Sequence, residues 1–177
     1  MAVTADRPIM FLDVDGVLIP FRARPTEPTS AERYAAPPAD DDEGNPLLGR
    51  LDPEDGHRLR SLGCWLVWAT TWMSDANEQV APRLGLPELP VVDFPDDDDE
   101  PEHGLHWKTP FLIRWAAGRT FVWLDDEITD TDRRWVHAHH EGRALLHRAD
   151  PAVGVTPNDF EVIRRWLAET SAAVAAS

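Results

Sequence analysis

The sequence predicts an α/β fold, a Rossmann-like three-layer sandwich built on a central, mainly parallel five-stranded sheet. Short apolar segments alternate with segments of helical pattern along the whole chain, which is typical of strands separated by covering helices. The apolar segments are hydrophobic at nearly every position, as in strands that are buried on both faces. Ligands of such folds bind beyond the carboxyl ends of the strands, so the residues at strand ends indicate the function.

Five segments have the length and composition of buried strands, at residues 8–12, 65–69, 90–94, 120–124 and 143–147. Helices are predicted between and after them, at residues 52–62, 74–85, 108–117, 131–140 and 157–168. Asp52 and Thr156 precede prolines at two of these helix starts, where Asp and Thr cap free N–H groups and proline suits the first turn.

A single domain is expected over residues 1–177, because 177 residues with 42% hydrophobic content suffice for one core. Residues 19–52 are poor in periodic pattern, which predicts a loop or flap with a short helical piece near residues 30–34. A second, acidic loop is predicted at residues 96–102, and the tail at residues 170–177 is expected to be frayed. The spacing between the strands leaves no room for a large cap domain.

The composition excludes several kinds of partner. A formal net charge of −15 repels polyanions, so extended nonspecific nucleic-acid binding is not expected. No apolar run reaches the length of a membrane span, and the first residues lack the pattern of a signal peptide. We therefore expect a cytoplasmic protein that does not bind membranes and is a monomer or a weak dimer.

Reactive residues follow the predicted strands. Asp13 and Asp15 end the first strand one residue apart, so both project to the same side, and Gly16 lets the chain turn away. A buried strand has no structural use for two carboxylates, because uncompensated buried charge is costly. The alternative, that both acids only cap a loop, stays open. Other strand ends and one helix start carry further reactive residues: Thr70, Thr71, Lys108, Asp125 and Asp126.

Phosphoryl transfer is the chemistry that suits this set best. A carboxylate can attack phosphorus, while a second carboxyl group two residues on protonates the leaving oxygen and then activates water. A divalent cation offsets the repulsion between an anionic nucleophile and an anionic substrate. Hydroxyl and ammonium groups hold the phosphoryl oxygens and their developing charge.

The same residues resemble the motifs of the haloacid dehalogenase-like (HAD) superfamily. Residues 13–17, DVDGV, match its first motif, DxDx(T/V), while Thr70 matches the second, Lys108 the third and Asp125-Asp126 the fourth. The motifs occur in order, and the resemblance covers about residues 8–130. It implies a phosphatase or phosphotransferase, because the dehalogenases lack the second acid of the first motif.

The resemblance also implies a role for each motif residue. Asp13 is the expected nucleophile, Asp15 the general acid and base, Thr70 a ligand of the phosphoryl oxygens, and Lys108 a contact to both nucleophile and phosphate.

Mg²⁺ is the cofactor that the resemblance implies. Its expected ligands are the Asp13 carboxylate, the Asp15 backbone carbonyl and Asp126, with Asp125 or Asp130 beside them. Which of Asp125, Asp126 and Asp130 touches the metal stays open at this point, with Asp126 favoured.

Shorter strings resemble the small capless HAD domains of Swiss Army Knife RNA repair proteins, which implies a substrate with phosphorylated nucleic-acid ends. These strings are WATTW at residues 68–72, AN at 76–77, HWKT at 106–109 and WLDDE at 123–127. Substrate contacts are expected from Gly16, Thr71, Trp72 and Asn77, although Asn77 is as well suited to satisfying a local backbone group. For Trp72 and Trp107, stacking on a base and merely walling the pocket both stay open.

We therefore expect a Mg²⁺-dependent phosphohydrolase that forms an aspartyl-phosphate intermediate on Asp13. Its substrate is expected to be a phosphorylated nucleic-acid end, a nucleotide or another bulky phosphomonoester. Two alternatives stay open: transfer to an acceptor other than water, and a catalytically silent domain that serves as an interaction module. The intact set of Asp13, Asp15, Lys108 and Asp126 argues against the silent domain.

Overall fold

A computed structural model of the protein describes residues 7–22, 45–95 and 104–175, with side chains up to residue 173. Four strands form one parallel sheet in the order β2-β1-β3-β4: β1 (Ile9–Leu12), β2 (Trp65–Trp68), β3 (Phe121–Asp125) and β4 (Ala144–Arg148). Four α-helices accompany them: α1 (Pro53–Ser61), α2 (Thr109–Ala116), α3 (Asp130–His139) and α4 (Pro157–Ala175). The predicted α/β fold with a parallel sheet is confirmed.

The sheet has four strands and not the five that were predicted. Residues 90–94 make only an isolated parallel bridge, in which the Trp68 N–H donates to Pro90 O and the Val92 N–H donates to Trp68 O, both at 2.8 Å. Prolines at positions 90 and 95 bound this bridge and lack the N–H groups that a longer ladder requires. The segment therefore lies beside β2 without extending the sheet.

Helices cover both faces of the sheet, as β1 illustrates. Met10 and Leu12 belong to one apolar cluster, which contains Phe160 of α4. Phe11 belongs to the opposite cluster, which contains Leu112 of α2. Because both faces are packed, these strands are apolar at successive positions, as the sequence shows.

Two helical segments differ from the prediction. Residues 74–85 do not form one α-helix, because a π-helical turn at Ala76–Val80 gives way to a 3-10 turn at Pro82–Leu84. Pro82 lacks an N–H group, and its ring opposes continuation of the preceding turn. Helix α4 continues to Ala175, so the fraying expected from residue 170 is wrong for these residues, and Thr170 is buried.

The strand order reverses between β1 and β3, since the chain runs from β1 to β2 on one side and returns to β3 on the other. The residues that follow β1 therefore lie against the end of β3, and the Asp13 N–H donates to Leu124 O at 3.1 Å. Such a reversal point is where ligands bind in open parallel sheets.

The predicted flap is described only at its two ends. Arg50 ends the 3-10 helix Pro46–Arg50 and donates from Nη1 to the carbonyls of Phe21 at 2.7 Å and Pro20 at 3.1 Å. The rest of the flap, with its predicted helical piece, and the predicted acidic loop at 96–102 lie outside the described residues. Among the described helices, none combines the length and the apolar character that crossing a membrane demands.

Candidate active site

A buried ammonium group links the ends of β1 and β3. Lys108 Nζ lies 2.9 Å from Asp13 Oδ2 and 2.8 Å from Asp125 Oδ2. All three side chains are buried. The pairing of β1 with β3 places the two aspartates side by side. Lys108, which directly precedes α2, contacts both of them.

Asp126 adds a third carboxylate to this group. One carboxylate oxygen from each of Asp13, Asp125 and Asp126 lies within 4.8 Å of the others. Gly16 adopts a left-handed conformation with φ of 71°, and a Cβ at this position would overlap the Asp126 carboxylate. Gly16 therefore makes room for Asp126, a role different from the substrate contact expected from the sequence.

The site is short of positive charge. Burial raises the pKa of Asp13 to about 7; the Lys108 ammonium opposes this shift and the Asp125 carboxylate reinforces it. Burial, and then the neighbouring Asp125, also raises the pKa of Asp126. Burial alone would lower the pKa of Lys108, but Asp13 and Asp125 outweigh it, so the pKa is raised and the ammonium persists. One cation thus serves three carboxylates.

Asp15 is oriented by a tryptophan. The Trp72 Nε1–H donates to Asp15 Oδ2 at 2.9 Å. The turn after β1 is fixed by the Gly16 N–H, which donates to Ile19 O at 2.9 Å. Trp72 therefore uses its polar edge to position Asp15, while Asp15 lines the pocket described below.

The two threonines after β2 differ in exposure. Thr70 is fully buried, and its Oγ1 accepts a hydrogen bond from the Trp72 N–H at 3.3 Å. Thr71 is exposed and lines the pocket. In this structure Thr70 shapes the turn, and Thr71, not Thr70, lines the pocket.

Two residues expected at the site lie away from it. Asn77 Oδ1 accepts from Trp68 Nε1 at 2.8 Å and from the Leu89 N–H at 2.9 Å, while its Nδ2 donates to Leu89 O at 2.8 Å. Its polar atoms thus join β2 to residue 89, which matches the alternative of a local backbone role. Asp130 has a side chain that is 83% exposed and pairs with Arg133, so it does not join the three buried carboxylates.

Asp125 and Asp126 face different surroundings. Asp125 is fully buried, and besides Lys108 it accepts hydrogen bonds from Trp123 Nε1 at 3.2 Å and the Glu127 N–H at 3.0 Å. Asp126 lines the pocket. The two residues therefore differ in availability, with Asp125 engaged inside the protein and Asp126 open to a ligand. The bond from Trp123 was not expected from the sequence.

Sequence reasoning also missed Asp132. This fully buried residue accepts hydrogen bonds from the His106 N–H, Thr109 Oγ1, and the N–H and Oγ1 of Thr129, at 2.6–2.8 Å. Burial opposes ionisation, but the hydrogen bonds from Thr129, Thr109 and His106 outweigh it and lower the pKa of Asp132. The network joins the start of α3 to the segment that carries Lys108. Only its local part, a Thr-x-x-Asp capping box, has a sequence signal.

A small pocket opens over the carboxylates. Its volume is about 160 Å³, and its lining residues are Asp13, Asp15, Phe21, Thr71, Trp107, Lys108, Asp126 and Glu127. A larger cavity of about 720 Å³ lies between α3, β4 and α4 and includes none of these residues. The larger cavity lacks the clustered acids, so the small pocket is the candidate active site.

The parallel sheet, the paired acids after β1 and the lysine between two carboxylates together define a HAD-type domain. The family described as the HAD domain in Swiss Army Knife RNA repair proteins matches residues 9–160. The chain belongs to this family, which confirms the resemblance read from its motifs and indicates a hydrolase of the phosphatase type. Comparisons with the curated proteins and with the solved structures find no match.

Proposed function

We propose that the protein is a Mg²⁺-dependent phosphomonoesterase that acts through an aspartyl-phosphate intermediate on Asp13. The observation that carries this proposal is the buried Lys108 ammonium between Asp13 and Asp125, beside a pocket onto which Asp13, Asp15 and Asp126 open. An ion pair that served only the fold would require one carboxylate. Three carboxylates around one ammonium suit a site that receives further positive charge and a phosphoryl group.

Asp13 is the proposed nucleophile. Its Oδ1 accepts a hydrogen bond from the Val14 N–H at 2.8 Å, and its Oδ2 faces Lys108. A carboxylate oxygen attacks phosphorus, the bond between phosphorus and the leaving oxygen breaks, and Lys108 stabilises the charge on the phosphoryl oxygens.

Asp15 is the proposed general acid and base. Its position two residues after Asp13 and its bond to Trp72 Nε1 aim it at the pocket. It protonates the leaving oxygen, so the alcohol departs neutral, and then removes a proton from the water that attacks the phosphorus of the aspartyl phosphate. Phosphate is released and the Asp13 carboxylate is restored.

The residues present fit Mg²⁺. Magnesium binds hard oxygen ligands, and a carboxylate oxygen of Asp13 lies within 4.8 Å of one of Asp126, whose carboxylate fits there because Gly16 lacks a Cβ. We assign the Asp13 and Asp126 carboxylates and the Asp15 carbonyl as its ligands. Asp125 is not assigned, because its oxygens already accept hydrogen bonds from the protein. When bound, the ion supplies positive charge that offsets the repulsion between carboxylate and phosphate.

The proposed substrate is a bulky phosphomonoester, such as a nucleotide or a phosphorylated nucleic-acid end. The small pocket leaves the rest of such a molecule outside, and membership in a family named for RNA repair proteins supports a nucleic-acid substrate. The net charge of −15 disfavours extended nonspecific binding along a polynucleotide. Transfer to an acceptor other than water is a second candidate, because Asp15 could remove a proton from an acceptor hydroxyl as it would from water. The cytoplasmic location and the monomeric or weakly dimeric state stay predictions.

The proposal is tested by hydrolysis of p-nitrophenyl phosphate with Mg²⁺, with EDTA and by the variant Asp13→Asn. We expect metal-dependent release that falls by at least about 10³-fold in the variant, as for loss of a nucleophile. Asp130→Asn is the matched control, because this aspartate is exposed and outside the pocket, and it should keep its activity. Activity that survives in Asp13→Asn would contradict the covalent mechanism.

If the protein does not hydrolyse p-nitrophenyl phosphate, its binding of BeF₃⁻, a mimic of the aspartyl phosphate, is measured. Binding of BeF₃⁻ that depends on Asp13 would indicate a competent site awaiting its substrate. The absence of both release and binding would favour a silent interaction module.

A further inference from the structure

His106 is a buried side chain beside the candidate active site that the proposed chemistry does not use. Its side chain is 6% exposed and is not part of the pocket lining. The imidazole lies among aromatic rings, stacked on Trp107 with centroids 5.7 Å apart and edge-on to Trp123 at 5.4 Å. A polar ring in such surroundings requires hydrogen-bond partners for both of its nitrogens, and those partners indicate its role.

The hydrogen bonds of His106 fix the position of its ring hydrogen. The Lys108 backbone N–H donates to Nδ1 at 3.1 Å, so Nδ1 carries a lone pair. The ring hydrogen is therefore on Nε2, which donates to Glu127 Oε2 at 3.2 Å. This arrangement leaves His106 no free lone pair for a metal ion, although a ring nitrogen lies within 4.8 Å of carboxylate oxygens of Asp125 and Glu127. The imidazole is thus a bridge between two residues and not a metal ligand.

The imidazole bridge joins the two segments that carry the site. One is the turn before α2, where the ring holds the main chain of Lys108. The other is the turn after β3, where the Glu127 N–H donates to Asp125 Oδ1 at 3.0 Å. The Lys108 ammonium contacts Asp125 between the same two segments. The bridge therefore ties together the main chains that this contact joins.

Both partners of the ring belong to the pocket. Lys108 and Glu127 line it, although His106 does not. The bond to Glu127 adds little to stability, because this side chain is 67% exposed and such pairs contribute about 0–1 kcal/mol. The arrangement of the bridge therefore suits the site better than it suits the fold alone.

Asp132 holds the same turn, but at other atoms. Its carboxylate accepts from the His106 backbone N–H and from Thr109 Oγ1, both at 2.7 Å. Neither bond involves the His106 ring or the Lys108 N–H. A change confined to the ring therefore leaves this network in place, so the effect of the ring can be separated from the fold of the turn.

We propose that His106 is a positioning residue for Lys108 and acts by holding the Lys108 N–H through Nδ1. This inference rests on the proposed phosphatase function, in which the Lys108 ammonium stabilises charge on the phosphoryl oxygens. That charge develops as the phosphorus reacts, so a small displacement of the ammonium should lower kcat more than it changes KM. In this role His106 touches neither the substrate nor the reacting atoms.

Two amide variants separate the two bonds of the ring. His106→Asn places an oxygen where Nδ1 lies and can accept from the Lys108 N–H, but it is too short to reach Glu127. His106→Gln places an amide N–H where Nε2 lies, and it leaves the Lys108 N–H without an acceptor at the Nδ1 position.

Hydrolysis of p-nitrophenyl phosphate with Mg²⁺ gives kcat and KM for each variant. His106→Asn should keep kcat within about threefold, and His106→Gln should lower it about 10–100-fold with KM nearly unchanged, as for residues that orient a functional group. His137→Gln is the matched control, because His137 is exposed on α3 and lies outside the pocket; it should keep its activity.

The reverse order, with His106→Gln active and His106→Asn impaired, would overturn the role of the Lys108 N–H. Equal falls in both variants, in step with a loss in the free energy of unfolding in urea, would make His106 a residue of the fold and overturn the proposal. Both results require an active wild-type protein, so they leave the phosphatase function standing.

A wild-type protein without turnover would contradict the proposed function, and amide hydrogen exchange then tests the positioning of Lys108. The Lys108 N–H should exchange slowly in the wild-type protein and in His106→Asn, and about tenfold faster in His106→Gln, because a hydrogen bond is lost. Equal exchange rates in the three proteins overturn the proposal.

Discussion

Asp13 and Asp132 are both buried carboxylates, yet the protein treats them in opposite ways. Asp132 accepts four hydrogen bonds from neutral donors, and its pKa is lowered despite burial. Asp13 accepts one backbone hydrogen bond and shares the Lys108 ammonium with Asp125, and its pKa is raised to about 7. Burial is common to both residues, so the difference lies in their partners.

The contrast separates carboxylates that support the fold from those that suit chemistry. A carboxylate whose oxygens are fully engaged by the protein has no further need of a ligand. Asp159 repeats this pattern at the start of α4, where bonds from Thr156 and His147 outweigh burial and lower its pKa. Asp13 and Asp126, in contrast, have too little positive charge around them, and a bound cation would supply it.

The largest effect on stability is expected from Asp132→Ala. The change removes four hydrogen bonds and leaves the donors of two buried residues, Thr109 and His106, without their partner, which should cost about 2–4 kcal/mol. Urea unfolding measures the loss. Asp130→Ala, two residues earlier and exposed, should change stability by no more than about 0.5 kcal/mol. Equal losses in the two variants would contradict the structural role of Asp132.

Magnesium should stabilise the protein through the deficient carboxylates alone. At a concentration 100 times its Kd, a ligand of the folded state raises the free energy of unfolding by about 2.7 kcal/mol. Thermal unfolding with MgCl₂ should show this rise against NaCl of equal ionic strength. Asp126→Asn should remove most of the rise, and Asp130→Asn should keep it. A rise that survives in Asp126→Asn would place the ion elsewhere.

Smaller and opposite effects are expected from pH in the metal-free protein. The pKa of Asp13 is raised from 3.8 to about 7, so its contribution to stability is present at acid pH and is lost as pH rises between these values. The pKa of Asp132 is lowered, so its contribution is present above about 4 and is lost as pH falls below. The free energy of unfolding in urea is measured from pH 3 to 8. Asp13→Asn should remove its fall with rising pH, and Asp132→Asn should remove its fall with decreasing pH. Slopes of the same sign would refute the contrast.

The strand ends were predictable because the parallel sheet obeys a local rule. Apolar segments mark β1 and β3 in the sequence, and their carboxyl ends must lie at one edge of the sheet. The proximity of Asp13 and Asp125 follows from that rule without knowledge of side-chain packing. The position of Lys108 is harder to predict from the sequence, because its approach to Asp13 and Asp125 depends on the long connection that precedes it.

Residues whose partners are distant in the chain escaped prediction. Asp132 accepts from the His106 N–H across 26 residues and from Thr109 Oγ1 across 23. No spacing rule encodes either contact. For Asn77 the sequence left a substrate contact and a local backbone role open, and in the structure its amide joins β2 to residue 89.

The order of the strands has a consequence for how the protein acquires its site during synthesis. Strand β1 pairs in register with β3, with Ile9 opposite Phe121, so over a hundred residues must be made before this pairing can form. Pairings between strands so far apart in the sequence form slowly, because the chain loses the entropy of loop closure before the contacts stabilise it. The nascent chain can join β1 to β2 early, but Asp13 meets Lys108 and Asp125 only after β3 has left the ribosome. The cluster of Asp13, Lys108 and Asp125 therefore assembles late in folding.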